Sequence, residues 1–322
     1  MKFLNLKTTD PYRNLAIEEY LFLHSDEDVL MLWQNEPTVV IGKNQNAYAE
    51  LSLDVIRERG VHVARRITGG GAVYHDLGNV NFSLISTTKG RGGLDFAAFC
   101  QPMIEALATL GICAELSGRN DLLVDGKKFS GNAFYNSKGK SYQHGTILID
   151  ADFNKLSRYL TPPKAKLEAK GVKSVKSRVV NLKELSPDLT CDKMKEYLLT
   201  SFEEVYNLKP VEFCEINENE VSLTAESYSS WDYLYGKQLP FNAVCQGRLS
   251  FGSIEIQMQV EKSVINAIKC YTDALDTNIS YIIENALNKK ALDLLEIQNG
   301  LEKELPTNQA CEILNLFKEQ LF

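Results

Sequence analysis

The residues of this chain best able to do chemistry gather in Ala64–Ser83, which reads ARRITGGGAVYHDLGNVNFS. Gly69, Gly70 and Gly71 stand in a row, and such a run suits neither helix nor strand. It lets backbone lie flat against a ligand with its N–H groups turned to an anion. Arg65 and Arg66 precede the glycines, and Tyr74, His75, Asp76, Asn79 and Asn81 follow. That density of donors and acceptors around bare backbone reads as a site for something charged. No Gly-Lys-Ser/Thr comes after it, so it is not a Walker A loop.

Three further stretches carry candidate groups. Gly118-Arg119-Asn120-Asp121 precedes a short apolar run and an Asp125-Gly126 turn, after which Lys127-Lys128 meets the small residues Ser130-Gly131-Asn132-Ala133. Gln143, His144 and Gly145 stand at the mouth of Tyr142–Asp150. By residue type alone His144 reads as hydrogen-bonded scaffold, and it is kept with Gly145 among the candidate binding residues. Lys164–Lys183 holds seven basic residues (Lys164, Lys166, Lys170, Lys173, Lys176, Arg178 and Lys183) against the single acid Glu168. Charge runs are usually solvated faces; the sharper reading is a basic flap over a phosphorylated intermediate.

The elements that must position these groups follow from pattern. Pro11–His24 spaces its apolar residues as an amphipathic helix. Val29–Gln34 and Thr38–Gly42 read as strands split by the turn Asn35-Glu36-Pro37. Leu53–Arg59 reads as a helix, Val61–Arg66 as a strand entering the glycine run and Val80–Ser86 as one leaving it. Phe96–Leu110 and Cys191–Val205 are helical patterns. Glu226–Phe241 is aromatic-rich and reads as a docked linker. Beyond it, Val244–Ile254 and Glu255–Val260 alternate as a hairpin around Gly252-Ser253, Val264–Tyr271 adds a strand, and Ser280–Leu287, Ala291–Ile297 and Asn308–Leu321 are helical. The expectation is an α/β (α+β) chain: a mixed-sheet domain over residues 1–240, then a smaller α+β accessory domain over 241–322 with no catalytic cluster of its own.

Composition narrows the class. The 322 residues are 44% hydrophobic and 24% charged, as in an ordinary globular protein. A net charge of −7 argues against a nucleic-acid binder that relies on basicity. No apolar run reaches a membrane span and the first residues carry no signal-peptide core, so a cytoplasmic protein without membrane association is expected, as a monomer. The seven cysteines (100, 113, 191, 214, 245, 270, 311) form no CxxC pair and read as reduced thiols.

Taken together, RRITGGGAVYHDLGN, GRNDLLVDGKKFSGNA, HGTILIDAD, KGVKSVKSRVVNL and SSWDYLYGK resemble the lipoate–protein ligase A family of the biotin/lipoate protein ligase superfamily, in its order and spacing. The resemblance implies a biotin/lipoate ligase type fold. It implies activation of lipoate with ATP and Mg2+ to lipoyl-AMP and pyrophosphate. It also implies transfer of the lipoyl group to one lysine of apo lipoyl domains of 2-oxoacid dehydrogenase complexes or of glycine-cleavage H protein. Carried over by motif, Lys128 is the essential lysine. Arg66, Gly71, Ala72, Val73 and Tyr74 would hold the adenylate, with Gly69, Gly70 and Asn79 also candidates for binding substrate or ATP. Asn120 and Asp121 sit near the nucleotide, Asp121 with its magnesium. The segment from Gly171 to Asn181, with Lys176 and Arg178, folds over the adenylate.

The chemistry fits these residue types. Adenylation brings a carboxylate against an α-phosphate, so a fixed ammonium and aimed N–H groups answer the charge that builds. Lys128 is expected to bridge the two anions, not to act as nucleophile. An acyltransferase working through a thioester needs a cysteine, and none lies between Cys113 and Cys191. A biotin ligase would show a GRGRxGR-type loop, which RRITGGGAVYHD is not. A transferase taking preformed lipoyl-AMP, or a non-catalytic lipoate or adenylate binder, stays open; the complete KSVKSR loop leans toward ATP activation.

Overall fold

The computed structural model describes residues 1–87, 96–118, 120–137, 139–160, 178–207, 211–212, 216–236 and 238–322. Among them, eight strands form one mixed sheet in the order Val211–Glu212, Lys2–Asn5, Val29–Trp33, Asn79–Thr87, Lys140–Leu148, Lys127–Ser137, Asp121–Val124 and Glu115–Ser117. The first three run parallel and the remaining pairings are antiparallel.

Side chains alternate across this sheet, so each strand serves two cores. Leu30, Leu32, Val80, Phe82, Leu84 and Ile147 point to one face, in one apolar core with residues of helices Phe96–Ala108 and Cys191–Tyr206. Met31, Trp33, Ile85 and Tyr142 point to the other, against helix Pro11–His24. Burial on both sides explains why Val29–Trp33 reads VLMLW without alternation. Helix Pro11–His24 starts where it does because the Asp10 carboxylate accepts from the Tyr12 and Arg13 N–H groups and Pro11 occupies the first turn. Helix Glu218–Ser229, whose last turn opens what the sequence reads as linker, packs along it. A three-stranded sheet lies beside the large one: Thr38–Ile41 in the centre, His62–Arg65 parallel to it and Val73–His75 antiparallel. The triple glycine joins those two outer strands.

The C-terminal region has its own core. Strands Ala243–Leu249, Gly252–Glu261 and Val264–Thr272 form an antiparallel sheet with helices Ile279–Leu287, Leu294–Glu304 and Thr307–Leu321. The hairpin expected around Gly252-Ser253 turns instead at Ser250-Phe251, with Leu249 paired to Gly252. Gly252 lies inside the strand, where a Cβ would come within 2.9 Å of the Ala274 nitrogen and the Asp273 carboxylate. Its glycine is required by close approach, not by a turn.

Candidate active site

The glycine run is shaped by Arg66. Arg66 is 6% exposed, and its guanidinium bonds to the loop and its neighbours. Nη2 donates to the carbonyls of Gly69 (2.7 Å) and Gly71 (2.9 Å), Nε to Thr68 Oγ1 (3.0 Å) and Nη1 to the Val40 carbonyl (3.2 Å). Burial pulls this guanidinium down to about 10, still charged near neutral pH. Arg65 has a separate task. It donates to the carbonyls of Gly42, Lys43 and Gln45 on one side and of Tyr233 and Leu234 on the other, tying the loop after strand Thr38–Ile41 to the short helix Trp231–Tyr235.

Beneath the loop lies a buried chain of side chains. Thr68 Oγ1 is 2.7 Å from His144 Nε2, and His144 Nδ1 is 3.0 Å from Glu18 Oε1 and 2.7 Å from the Tyr142 hydroxyl. The Ser83 hydroxyl donates to the same Glu18 oxygen, and the Trp33 indole N–H donates to Ser83. The chain closes when His144 carries its proton on Nδ1, toward Glu18, and accepts at Nε2 from Thr68. Glu18 is 1% exposed. Its carboxylate is balanced by these donors, with Arg66 on the far side of Thr68. Nearby, burial first and then the charge of Arg66 push His75 down to about 3. Its Nδ1 faces the Asn35 amide, and among the described residues Nε2 has no partner; the Asn81 amide nitrogen is likewise buried with no partner among them.

Lys128 stands on the same sheet face. Strand Lys127–Ser137 pairs with Asp121–Val124 through an irregularity: Leu122 faces Ser130 but Leu123 faces Lys128, so one residue is extra. Such a bulge shifts the alternation by one. Phe129 and Ser130 both turn to the helix-covered core, and Lys128 joins Gly131 and Asp121 on the face of His144. Lys128 Nζ lies 2.6 Å from Asp121 Oδ1, both side chains a little over one-third exposed. The backbone of Lys128 is bonded too: its N–H donates to the Arg178 carbonyl and its carbonyl accepts from Val180. Further along this face a cavity of about 410 Å³ opens, walled by Phe22, Ile67, Tyr135 and Tyr233, with Lys43 and Lys140 at its edge.

Tyr74 is 8% exposed with its hydroxyl unpaired and, by burial, shifted up. Val73 and Tyr74 pair with Val40 and Val39, and Ala72 precedes them, half-buried. Asn79 accepts from the Asp76 N–H and donates to Asn81. The Asn120 amide is bonded to the Asn132 carbonyl, closing the hairpin that carries Lys128. Gly145 is on the opposite face, where a Cβ would strike Phe82 and Asn132. Arg178 is exposed. Gly171, Lys176 and the lysines at 164, 166, 170 and 173 lie outside the described residues. The Gly70 N–H, read from sequence as open to an anion, donates to the Ala274 carbonyl of the C-terminal region (3.1 Å). Asn44 accepts from the Thr272 N–H and donates to the Thr277 carbonyl. Sequence reasoning missed Glu18, Ser83 and Tyr142. The signal was available for Glu18: it falls on the buried stripe of its helix with Asn14, Leu21 and Phe22.

With this geometry in hand, the comparisons decide the family. The family model for the Lipoyl protein ligase A/B catalytic domain matches residues 10–203, and that for the Bacterial lipoate protein ligase C-terminus matches residues 238–321. The chain belongs to the lipoate–protein ligase family. It is 38% identical to Lipoate-protein ligase LplJ of Bacillus subtilis (strain 168), over 92% of each chain. Among solved structures it is similar to P. falciparum LipL1 in complex with lipoate, at 29% identity, a TM-score of 0.86 and 99% coverage of both chains. It is also similar to a lipoate-protein ligase A bound with ATP, at 26% identity and a TM-score of 0.62, over 74% of this chain and 99% of that one. The two family models between them span the glycine loop and the C-terminal α+β region. No helix among the described residues is long and apolar enough to cross a membrane.

Proposed function

We propose that this ligase works in two steps: it activates lipoate with Mg-ATP as lipoyl-AMP, then passes the lipoyl group to one lysine of apo lipoyl domains (E2 subunits of 2-oxoacid dehydrogenases, or glycine-cleavage H protein). The observation that carries the reading is Lys128, an ammonium set 2.6 Å from Asp121 on the sheet face that also bears His144, the residue to which Thr68 ties the Arg66-braced glycine run. The relatives solved with lipoate and with ATP support the two substrates.

In the first step a carboxylate oxygen of lipoate bonds to the α-phosphorus, the Pα–O–Pβ bond breaks and pyrophosphate leaves. Lys128 contacts both anions and offsets the charge building between them. Magnesium enters with the triphosphate as part of the substrate. Among the described residues no group of three or more His, Cys, Asp or Glu could hold a metal, so Asp121 would be a single contact to a nucleotide-borne ion. In the second step the acceptor amine bonds to the acyl carbon, AMP leaves and the amine proton passes to solvent. The cavity walled by Phe22, Ile67, Tyr135 and Tyr233, with Lys43 and Lys140 beside them, suits an acyl chain. A division near residue 240, cytoplasmic location and a monomeric state belong to the same reading. Lipoate-dependent exchange of labelled pyrophosphate into ATP tests the activation step. Exchange that needs lipoate and disappears in Lys128→Ala is expected; exchange without lipoate, or none in the wild type, would overturn it.

A further inference from the structure

Gly131 lies directly under the ammonium of Lys128. A Cβ built on Gly131 would stand 2.5 Å from Lys128 Nζ and 2.7 Å from Cε, with Asp121 Oδ1 at 3.9 Å. The bulge at Phe129–Ser130 is what brings residues 128 and 131 onto one face, and Asp121 is the direct cross-strand neighbour of Gly131. The lysine side chain therefore runs across the bare Cα of Gly131 to reach Asp121.

Two features separate this glycine from one required by the backbone. Gly131 is absent from the glycines with positive φ, so an alanine there meets no conformational penalty. Glycine inside a strand is also a cost, since it weakens strand propensity and packs nothing. What a side chain at 131 would meet first is the far end of a flexible lysine, which yields easily. The fold loses little from such a change, whereas the position of the ammonium is lost.

We propose that Gly131 is a positioning residue for Lys128: it keeps open the volume in which the ammonium rests, while Asp121 holds it there. This rests on the two-step ligase reading, because it assigns Lys128 its work. An ammonium displaced by an ångström or more no longer spans carboxylate and α-phosphate, and misplacement on that scale costs rate far more than affinity.

The test pairs kinetics with a measurement that needs no activity. In Gly131→Ala, kcat for lipoate-dependent pyrophosphate exchange should fall on the order of 100-fold with the KM for ATP and lipoate within about 3-fold, and the melting temperature should not drop. In parallel, limited acylation with an N-hydroxysuccinimide acetate, read by mass spectrometry, compares Lys128 with its exposed neighbour Lys127. Release from Asp121 should raise the Lys128-to-Lys127 labelling ratio about 3-fold or more in Gly131→Ala. An unchanged kcat with an unchanged ratio overturns the proposal, as does a loss of activity that merely tracks a loss of melting temperature. If the wild type shows no exchange while the labelling ratio still rises, the ligase reading fails and the positioning of Lys128 stands.

Discussion

Thr68 Oγ1 sits 2.7 Å from His144 Nε2, and this contact ties the residue just ahead of the triple glycine to the middle of the large sheet. The hydroxyl also accepts from Arg66 Nε, so one oxygen serves the guanidinium that shapes the loop and the imidazole held by Glu18. Thr68→Val keeps the shape and removes both bonds, leaving His144 Nε2 buried without a donor. A loss of about 1–3 kcal/mol in urea unfolding is expected, as for other orphaned buried polar groups. Thr68→Ser, which keeps the oxygen, should recover most of it. A valine variant as stable as the wild type would mean that the contact holds nothing in place.

Stability should depend on pH through His75. Burial, first, and the charge of Arg66 lower it from 6.5 to about 3, so the folded chain keeps it neutral while the unfolded chain protonates it below 6.5. The unfolded state then binds the extra proton, and stability falls as pH drops. The contribution is complete above about 6.5 and declines by about 1.4 kcal/mol per pH unit on the way to 3. Denaturation midpoints at pH 7.0 and 5.0 for wild type and His75→Gln separate this group from the carboxylates. The variant should lose less between the two pH values, and equal losses would contradict the assignment.

The glycine loop is also where the C-terminal region rests. A Cβ on Gly69 would stand 2.3 Å from the Ala274 carbonyl oxygen and 2.6 Å from that of Leu275, both backbone atoms that cannot swing aside. Gly69→Ala should therefore push the Thr272–Thr277 segment off the loop and break the Gly70 N–H bond to Ala274. Small-angle scattering should report a larger radius of gyration, and proteolysis between the two regions should quicken. An unchanged scattering curve would show that the contact does not fix their arrangement.

Acceptor recognition should weaken with salt. Lys164–Lys183 is strongly basic in a chain of net charge −7, and carrier domains of the kind proposed are commonly acidic. The apparent KM for the acceptor should rise between about 50 and 300 mM salt while the KM for lipoate stays level. A flat response would remove the electrostatic account of docking.

Much of the fold is legible in the sequence because its helices and several strands follow simple periods. Pro11–His24 and Phe96–Ala108 match their apolar spacing, and Val29–Trp33 is the unbroken run of a strand buried on both sides. Strand Lys127–Ser137 is not legible: its bulge and the residues KKFSGN break alternation, because Phe129 and Ser130 both turn to the core so that Lys128 can face the other side. Gly252 misled for a similar reason, since a glycine needed for close approach looks the same as one needed for a turn. At the site, the glycines, Arg66 and Lys128 stand out by type and neighbourhood. Ser83 and Tyr142 do not, and Glu18 shows only as an acid on the buried stripe of its helix, because their role depends on two strands and a helix, far apart in sequence, meeting at His144.

The central claim is best tested by mass spectrometry of an apo lipoyl domain incubated with the purified protein, lipoate and Mg-ATP, beside reactions lacking ATP and reactions with Lys128→Ala. The account requires a single lipoyl group on the carrier that appears only with ATP and only with Lys128 present. A carrier modified solely from preformed lipoyl-AMP, or fully modified by the Lys128→Ala variant, would contradict it.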